Sequence, residues 1–333
     1  MKFVDDPTVE RQLFPMTLTR PIADIRIGIM TIREKWLLAT AAQTGLSVPS
    51  NLLPSKETIA MLQSGDDIFS APTSTFIRFP WNIFQFNDKA IREDYQLLTA
   101  GRISRPIPPG NKVISPENVF LEEDAKLEHC IINASAGPVY LGKNSEIMEG
   151  SMIRGPFALC EGAIVKMGAK IYGATTVGPY SLAGGEIKNS VIFGYSNKAH
   201  DGYLGDSIIG EWCNLGAGTC TSNLKNSAAE IKVKTMDGYS IAVGMKCGLI
   251  MGDYSRCAIN TSFNTGTVAG VCCNIFGEGL TPGFIPNFSW GLKDSSRYKF
   301  DKAIEDIKNW KRLKERSLTE IEVKNLKYIY DNY

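Results

Sequence analysis

The sequence has little that would direct the protein to a nucleic acid or a membrane. Its 36 basic and 35 acidic residues leave a formal net charge of +1, so no field of one sign favours a polyanion. No apolar stretch approaches the roughly 20 residues that a membrane-spanning helix needs. Asp5 and Asp6 come before any apolar segment that could act as a signal peptide, and we therefore expect a cytoplasmic protein.

Histidine and paired cysteine motifs are also scarce. The two histidines, His129 and His200, and eight scattered cysteines without a C-x-x-C pair do not form a zinc-ligand pattern. An enzyme that holds zinc with three histidines is excluded for the same reason. We expect no metal site, and we interpret the cysteines as small core residues.

A step of six residues dominates the middle of the chain. Seven aliphatic residues follow it without a slip: Leu141, Ile147, Ile153, Leu159, Val165, Ile171 and Val177. A shorter run precedes them, and the step recurs after an interruption, at Val113, Val119, Ala125 and Ile131 and then at Ile187, Phe193, Ile209 and Leu215. Neither a helix of period 3.6 nor a strand of period 2 produces this spacing.

A left-handed parallel β-helix of hexapeptide repeats explains the step. Each hexapeptide supplies a short strand and a turn, three of them close one triangular coil, and the aliphatic residues stack in interior columns. We assign residues 110–291 to this domain, with room for about nine coils.

The two flanking regions show no such step. Residues 1–105 are predicted to be a small α/β region with a helix over residues 31–38, and prolines near residues 106–109 mark its end. Residues 292–333 are predicted to be helical, with a capping box from Ser317 to Glu320. We expect these helices to cap the open end of the β-helix.

Residues 184–223 hold the densest group of chemically useful side chains. Since residues one coil apart stack on each other, His200, Tyr203, Asn214 and Asn223 are expected to lie close together. A neutral imidazole can accept a proton from an attacking amine near pH 7, and lysines suit a sugar phosphate. The alternative is that His200 is an ordinary corner residue and that the asparagines form turns.

This stretch resembles the acetyltransferase half of the bifunctional N-acetylglucosamine-1-phosphate uridylyltransferase/glucosamine-1-phosphate acetyltransferase family. The resemblance is carried by Glu186-Ile187-Lys188, His200, Tyr203-Leu204-Gly205-Asp206, Asn214-Leu215-Gly216-Ala217-Gly218-Thr219, Asn223 and Lys232-Val233-Lys234-Thr235. It implies that His200 is the general base. It also implies a sugar-phosphate site with Asn214 in its lining, formed by Lys188, Tyr203, Asn223 and Lys232. Acetyl-CoA would lie along the rod near residues 243–270, with Gly218, Gly244 and Lys246 as its contacts.

The amino-terminal region resembles a short variant of the same family, through residues 13–21 and 29–36. The glycine-rich loop with an arginine that cradles nucleotide phosphates is missing, and the region is less than half the family's usual length. Arg20 and Lys35 are candidate remnants of a phosphate site, and Mg²⁺ is expected only if nucleotidyl transfer survives. In the β-helix, Lys166 or Arg154 is a candidate substitute for the family's phosphate-binding arginine.

The leading hypothesis is an acetyl-CoA-dependent N-acetyltransferase that acts on an amino-sugar phosphate or a nucleotide amino sugar. Such sites form between neighbouring rods, so we expect a homotrimer with small-molecule partners only. The alternatives are a sugar-1-phosphate nucleotidyltransferase and a non-catalytic trimeric scaffold that has kept the pocket.

Overall fold

A computed structural model describes residues 1–69, 71–292 and 296–333. The amino-terminal region contains short strands and helices. In chain order these are β1 (Lys2–Val4), α1 (Pro7–Gln12), a 3-10 helix (Ile22–Asp24), β2 (Arg26–Ile27), β3 (Met30–Thr31), α2 (Ile32–Ala39), β4 (Ser47–Pro49), α3 (Lys56–Ser64), α4 (Asn82–Gln85) and α5 (Asn87–Thr99). Helix α2 is the predicted helix, and Thr31 and Glu34 form a capping box at its start.

The rod is built from short strands. They are β5 (Lys112–Ile114), β6 (Val119–Leu121) after a 3-10 helix (Pro116–Asn118), β7 (Lys126–Leu127), β8 (Ile131–Asn133), β9 (Val139–Leu141), β10 (Glu146–Ile147), β11 (Met152–Arg154), β12 (Phe157–Leu159), β13 (Ile164–Val165), β14 (Lys170–Tyr172), β15 (Thr175–Val177), β16 (Leu182–Ala183), β17 (Glu186–Lys188), β18 (Val191–Ile192), β19 (Asn197–Lys198), β20 (Tyr203–Gly205), β21 (Ile208–Ile209), β22 (Asn214–Leu215), β23 (Cys220–Thr221), β24 (Ile231–Lys234), β25 (Ser240–Gly244), β26 (Ile250–Met251), β27 (Arg256–Cys257), β28 (Ser262–Phe263), β29 (Val268–Ala269), β30 (Asn274–Ile275), β31 (Phe284–Ile285), β32 (Ser289–Trp290) and β33 (Ser296–Arg297).

These strands form three faces of a triangular prism. Within the described residues, a six-stranded sheet runs from β5 to β20, a nine-stranded sheet from β6 to β31 and a ten-stranded sheet from β7 to β33. Successive strands of a face are parallel and come from successive coils, as where β10 pairs with β13. The predicted left-handed parallel β-helix is confirmed, with about ten coils instead of nine.

The interior columns follow the predicted step in the regular coils. All seven residues of the uninterrupted run are at most 3% exposed and share one core cluster. Two positions outside that run were predicted wrongly. Ile131 is 45% exposed while Ile132 points inward, and Phe193 faces out of the rod while Ile192 points inward.

Coil length explains both errors. Partners lie 18 residues apart where Ile147 pairs with Val165, but 19 apart at Val113 and Ile132 and only 15 apart at Val177 and Ile192. A coil that is longer or shorter than 18 residues shifts the inward position along the sequence.

The amino-terminal region covers the nine-stranded face. Outward residues of that face, among them Val191, Phe193 and Ile208, share a single hydrophobic cluster with Leu13 and Trp81. A β24–β25 hairpin leaves the rod after β23 and buries Ile231 and Val233 in the same cluster. The region is therefore docked on the rod by a common core.

Two helices, α6 (Phe300–Arg312) and α7 (Glu320–Asn332), follow the rod. They pack along a column of corner residues that includes Trp212, Tyr254 and Phe288, and so they lie beside the rod across several coils. The expectation that they cap its open end was wrong. The capping box of α7 is formed by Thr319 and Glu322, two residues later than predicted.

Seven of the eight cysteines are buried and Cys220 is exposed; all eight are free thiols. In the part of the chain that the structure describes, helices of sufficient length and apolarity to cross a membrane are absent.

Candidate functional site

The six-stranded face carries polar and charged side chains that remain accessible to solvent. In β14 and β17 the central residue is buried and its two neighbours point outward and are partly or fully exposed. These strands, with β20, belong to the irregular coils. Functional groups can collect here because this face is not part of the core shared with the amino-terminal region.

Tyr203 and Asn223 form the centre of a hydrogen-bonded group. The Asn223 Nδ2 donates to the Tyr203 Oη at 3.1 Å and to Oδ2 of Asp206 at 2.5 Å. The Asn189 Nδ2 donates to the other Asp206 oxygen at 2.7 Å. Asp206 is only 4% exposed, so it holds both asparagines from below the surface. Burial raises the pKa of Tyr203 to about 12, and the charge of Asp206 adds to this.

Gly205 makes room for this arrangement. A Cβ at position 205 would lie 2.3 Å from the Tyr203 Oη, because the phenol folds back over the glycine backbone. The motif Tyr203-Leu204-Gly205-Asp206 therefore has a local physical reason. The glycine allows the phenol to reach Asn223, and the aspartate fixes Asn223 in place.

Lys188 lies on the neighbouring strand of the same face, opposite Gly205 in the strand register. Its Nζ is 5.7 Å from the centroid of the Tyr172 ring. The Tyr172 Oη donates to Oε1 of Glu186 at 2.6 Å, and this hydrogen bond raises the pKa of the tyrosine. Lys188, Tyr203 and Asn223 are thus three predicted residues that the fold brings to one surface.

His200 is exposed on the corner between the ten-stranded and six-stranded faces, three residues before Tyr203. Its backbone oxygen accepts a hydrogen bond from the Nζ of Lys198 at 2.5 Å. Among the described residues the imidazole has no hydrogen-bond partner, so its nitrogens face solvent at the edge of the polar surface. His129 lies against Gly110 in the first coils, several coils away from His200.

Asn214 and Lys232 lie outside the polar group. Asn214 is on the ten-stranded face and its Oδ1 accepts from Asn197 at 3.3 Å, beside the segment that follows α6. Lys232 is exposed on the β24–β25 hairpin. The expected stacking of Asn214 on Tyr203 and Asn223 is therefore wrong within one chain, because these residues lie on different faces.

The three predicted acetyl-CoA contacts occupy two places. Gly218 lies on the corner directly above His200, where its N–H donates to the Asp201 carbonyl at 3.0 Å. Gly244 ends the hairpin, and Lys246 is exposed next to Cys247, whose N–H donates to the Asn223 carbonyl at 3.1 Å. The second place thus adjoins Asn223, which follows β23.

The two candidate phosphate remnants of the amino-terminal region are buried in ion pairs. Arg20 pairs with Asp253 of the rod, and the two side chains are 8% and 3% exposed. Lys35 pairs with Asp94, and each is 3% exposed. Neither cation is free to hold a nucleotide phosphate in this arrangement.

Of the two candidate substitutes for a phosphate-binding arginine, Arg154 lies on the polar face. It is exposed at the end of β11, which pairs with the strand that carries Tyr172. Lys166 lies on the corner that follows β13.

Sequence reasoning gave no role to Glu186, Lys198 and Asp206, although they lie within the predicted stretch of residues 184–223, and it missed Tyr172, which lies outside that stretch. The six-residue step did not mark Lys198, because the inward register of Ile192, Lys198 and Leu204 is shifted by one residue from the predicted register at Phe193. The described residues include no group of three or more histidine, cysteine, aspartate or glutamate side chains suited to a metal ion.

The fold and this surface define a parallel β-helix protein with an open polar face, and comparison with known proteins extends that description. Residues 1–69 match the sugar nucleotidyl transferase family. The chain is 40% identical over 88 residues to the bifunctional protein GlmU of Methanocaldococcus jannaschii, covering 26% of this chain and 21% of the relative. It is 30% identical over 154 residues to the uncharacterized acetyltransferase YaiX of Escherichia coli O6:K15:H31, covering 42% of this chain and 62% of the relative.

Among solved structures, the polySia specific acetyltransferase NeuO aligns with 61% of this chain and 90% of its own, at 13% identity and a TM-score of 0.30. The chain spans about a fifth of the length of the GlmU protein from Methanocaldococcus jannaschii. The predicted resemblance is confirmed: the chain is GlmU-like, with sequence similarity both to a sugar nucleotidyl transferase family and to acetyltransferases.

Proposed function

We propose that this chain is an acetyl-CoA-dependent N-acetyltransferase whose acceptor is an amino-sugar phosphate or a nucleotide amino sugar. The observation that carries the proposal is the convergence of Lys188, Tyr203 and Asn223 on one open face, next to the corner that bears His200. The acetyltransferase relatives support the reaction class.

The chemistry requires positioning and one base, because a thioester is already activated. His200 accepts a proton from the sugar amine as the nitrogen forms a bond to the acetyl carbon. The carbon–sulfur bond then breaks, and the imidazolium returns the proton to the departing thiolate. A backbone N–H at a coil corner is suited to stabilise the oxyanion between these steps.

Recognition of the acceptor falls to the polar face. Lys188, with Arg154 on the same sheet, supplies positive charge for a phosphate. Tyr203 and Asn223 supply hydrogen bonds to sugar hydroxyls. The proposed contacts of acetyl-CoA remain Gly218, Gly244 and Lys246. Lys232 remains a proposed contact of the sugar phosphate.

The polar face is an open surface, so a complete pocket needs a neighbouring chain. Apolar side chains are exposed on this face and its edge: Ile131, Met152, Met167 and Ile259 are 45%, 49%, 68% and 68% exposed. Three parallel rods around a threefold axis would bury such residues, and we propose that Asn214 lines the pocket from a neighbouring rod. We propose a cytoplasmic homotrimer, which sedimentation would report as three times the 36.6 kDa chain mass; a stable monomer would contradict it.

The experiment is release of coenzyme A thiol with a panel of amino-sugar phosphates, using His200→Ala and His129→Ala. Loss of a general base lowers the rate by about 10²- to 10⁴-fold, so His200→Ala should be nearly inactive with an unchanged assembly. His129→Ala should match the wild type. Equal activity of both variants in an active enzyme would overturn the role of His200, and an inactive wild type with every acceptor would favour a scaffold.

A second candidate function, sugar-1-phosphate nucleotidyl transfer, is favoured by the family match over residues 1–69. Against it, Arg20 and Lys35 are already paired with buried carboxylates. We expect no saturable heat in calorimetry with UTP and Mg²⁺ and no pyrophosphate release. Micromolar affinity for UTP would revive this candidate and would point to another phosphate-binding loop.

A further inference from the structure

Lys198 occupies a position in the rod where the fold otherwise places an aliphatic side chain. It lies between Ile192 and Leu204 at the six-residue step, and it is 2% exposed while these two neighbours are fully buried. Ala183 is its partner in the coil below, and this small side chain leaves room for the lysine stem. The rod therefore holds an ammonium group just beneath its surface.

The ammonium is bound by two backbone carbonyls. Lys198 Nζ donates to the Gly184 oxygen at 3.1 Å and to the His200 oxygen at 2.5 Å. Over the described ranges of the chain, no carboxylate lies within ion-pair distance of it. Burial lowers the pKa of Lys198 to about 8. Burying an ammonium without a counter-ion costs stability, so its presence at an interior position indicates a role other than packing.

The two carbonyls belong to adjacent corners of unequal length. The corner after β16 consists of residues 184–185, whereas the corner after β19 consists of residues 199–202. The longer corner packs directly on the shorter one: a Cβ at Gly184 would lie 2.3 Å from the Ala199 oxygen, and one at Gly185 would lie 2.8 Å from the His200 oxygen. The ammonium joins the two corners at the residue that carries the imidazole.

We propose that Lys198 is a positioning residue that ties the His200 corner to the coil below and so holds the imidazole at the edge of the polar face. This hydrogen-bonded tether between the two corners has a catalytic purpose only if His200 is the general base, so the inference rests on the proposed function. Lys198 acts through the backbone of His200 and does not itself contact the reacting atoms.

Lys198→Met and Lys198→Gln test the tether, and Lys314→Met is a matched control. Lys314 is partly buried, its Nζ likewise donates to neutral oxygens, those of Tyr180 and Asn197, and burial lowers its pKa to about 8 as well. It follows α6 and contacts residues near the start of β16 and β19 on the ten-stranded face, whereas the His200 corner follows the end of β19. The readouts are kcat, KM for acetyl-CoA, the melting temperature and amide hydrogen exchange of each corner.

We expect Lys198→Met to keep or raise the melting temperature, to lower kcat by about 10- to 100-fold and to leave KM for acetyl-CoA unchanged. Exchange should accelerate at the amides of Glu186 and Gly218, which donate to the Gly202 and Asp201 carbonyls of the His200 corner, but not at the amide of Gly150, which donates to the His129 carbonyl in an earlier coil. Lys198→Gln keeps a donor without the charge and should fall between Lys198→Met and the wild type. Lys314→Met should keep the wild-type kcat.

Wild-type kcat and unchanged exchange of the Glu186 and Gly218 amides in Lys198→Met would overturn the proposal. So would a lower melting temperature with faster exchange at every corner, because that pattern indicates a general packing role. An inactive wild type would overturn the proposed function separately. Hydrogen exchange would then still decide whether the tether exists.

Discussion

The nine-stranded and six-stranded faces of the rod are made by the same coils, yet they meet different surroundings. On the nine-stranded face, outward residues such as Val191 and Ile208 are fully buried beneath the amino-terminal region. On the six-stranded face, the outward residues of the same coils are Glu186, Lys188 and Tyr203, and they stay accessible. The hexapeptide repeat determines only the inward residues, so the outward residues decide which face docks a neighbouring region and which can bind a ligand.

The interior of the rod and its open six-stranded face are expected to differ most in how their thiols affect stability at alkaline pH. Burial raises the pKa of Cys273 to about 11 and that of Cys247 to about 12, whereas an unfolded thiol has a pKa of about 8.5. Because the pKa values of the folded thiols are raised, burial of the protonated thiols contributes its full stabilisation below pH 8.5. This contribution is lost as the pH rises toward the folded pKa values. At pH 10 the loss is about 2 kcal/mol for each fully buried thiol.

Lys198 and Lys314 act in the opposite direction. Their folded pKa values are lowered to about 8, so they add stability between that pH and the unfolded value near 10.4. Seven thiols with raised pKa values outnumber them, and we expect the urea midpoint to fall steeply from pH 8.5 to pH 10. Cys220→Ser on the open side should not alter this profile, whereas Cys247→Ala should flatten it. A constant midpoint would refute the interpretation.

Arg20 provides the next largest effect, since it joins the amino-terminal region to the rod. Arg20→Ala leaves Asp253 buried without its cation and should lower the free energy of unfolding by about 3–5 kcal/mol. Arg11→Ala is the matched control, because Arg11 also connects the amino-terminal region to the rest of the chain. Its pair with Asp237 is exposed, with side chains 65% and 48% exposed, and its loss should cost about 0–1 kcal/mol. Equal losses in urea unfolding would mean that the common core, not the ion pair, holds the region.

The rod also shows how much of the structure could be predicted from the sequence. The run from Leu141 to Val177 predicted the interior correctly, because regular coils translate spacing directly into position. The errors at Ile131 and Phe193 arose where coils gain or lose residues, which periodicity cannot detect. The candidate site lies in those irregular coils, and the motif pattern selected Lys188 and Tyr203, which lie on the outward side of its strands.

The position of the carboxy-terminal helices could not be inferred in the same way. They pack on corner residues such as Trp212 and Tyr254, which have positive φ angles and belong to no interior column. The role of Asp206, a residue of the quoted motif, was missed for a related reason. It is a buried corner residue whose importance comes from two amide donors, Asn189 and Asn223, that reach it from other coils.

Gly205→Ala should have an intermediate effect that is confined to the polar face. The added methyl group would displace the Tyr203 phenol and break its hydrogen bond with Asn223, at a cost of about 1–2 kcal/mol. We expect KM for the amino-sugar acceptor to rise about tenfold, with KM for acetyl-CoA unchanged. Gly194→Ala is the control, because a Cβ there would meet the Pro179 oxygen at an ordinary 3.4 Å. A wild-type KM in Gly205→Ala would show that the position of the phenol does not matter for the acceptor.

Tyr172→Phe should have the smallest effect, and it separates recognition from stability. The substitution removes the hydrogen bond to Glu186 but keeps the ring beside Lys188, so unfolding should change by about 0.5–1 kcal/mol. Tyr180 makes an equivalent bond to Glu161 at 2.8 Å on another corner of the rod, so Tyr180→Phe should cost about the same stability. If Glu186 and Lys188 face the acceptor, only Tyr172→Phe should raise its KM, by about two- to fivefold, because Glu186 loses the donor that orients it. An equal change in both variants would place the acceptor elsewhere, whereas a change in Tyr172→Phe alone would locate it on the six-stranded face.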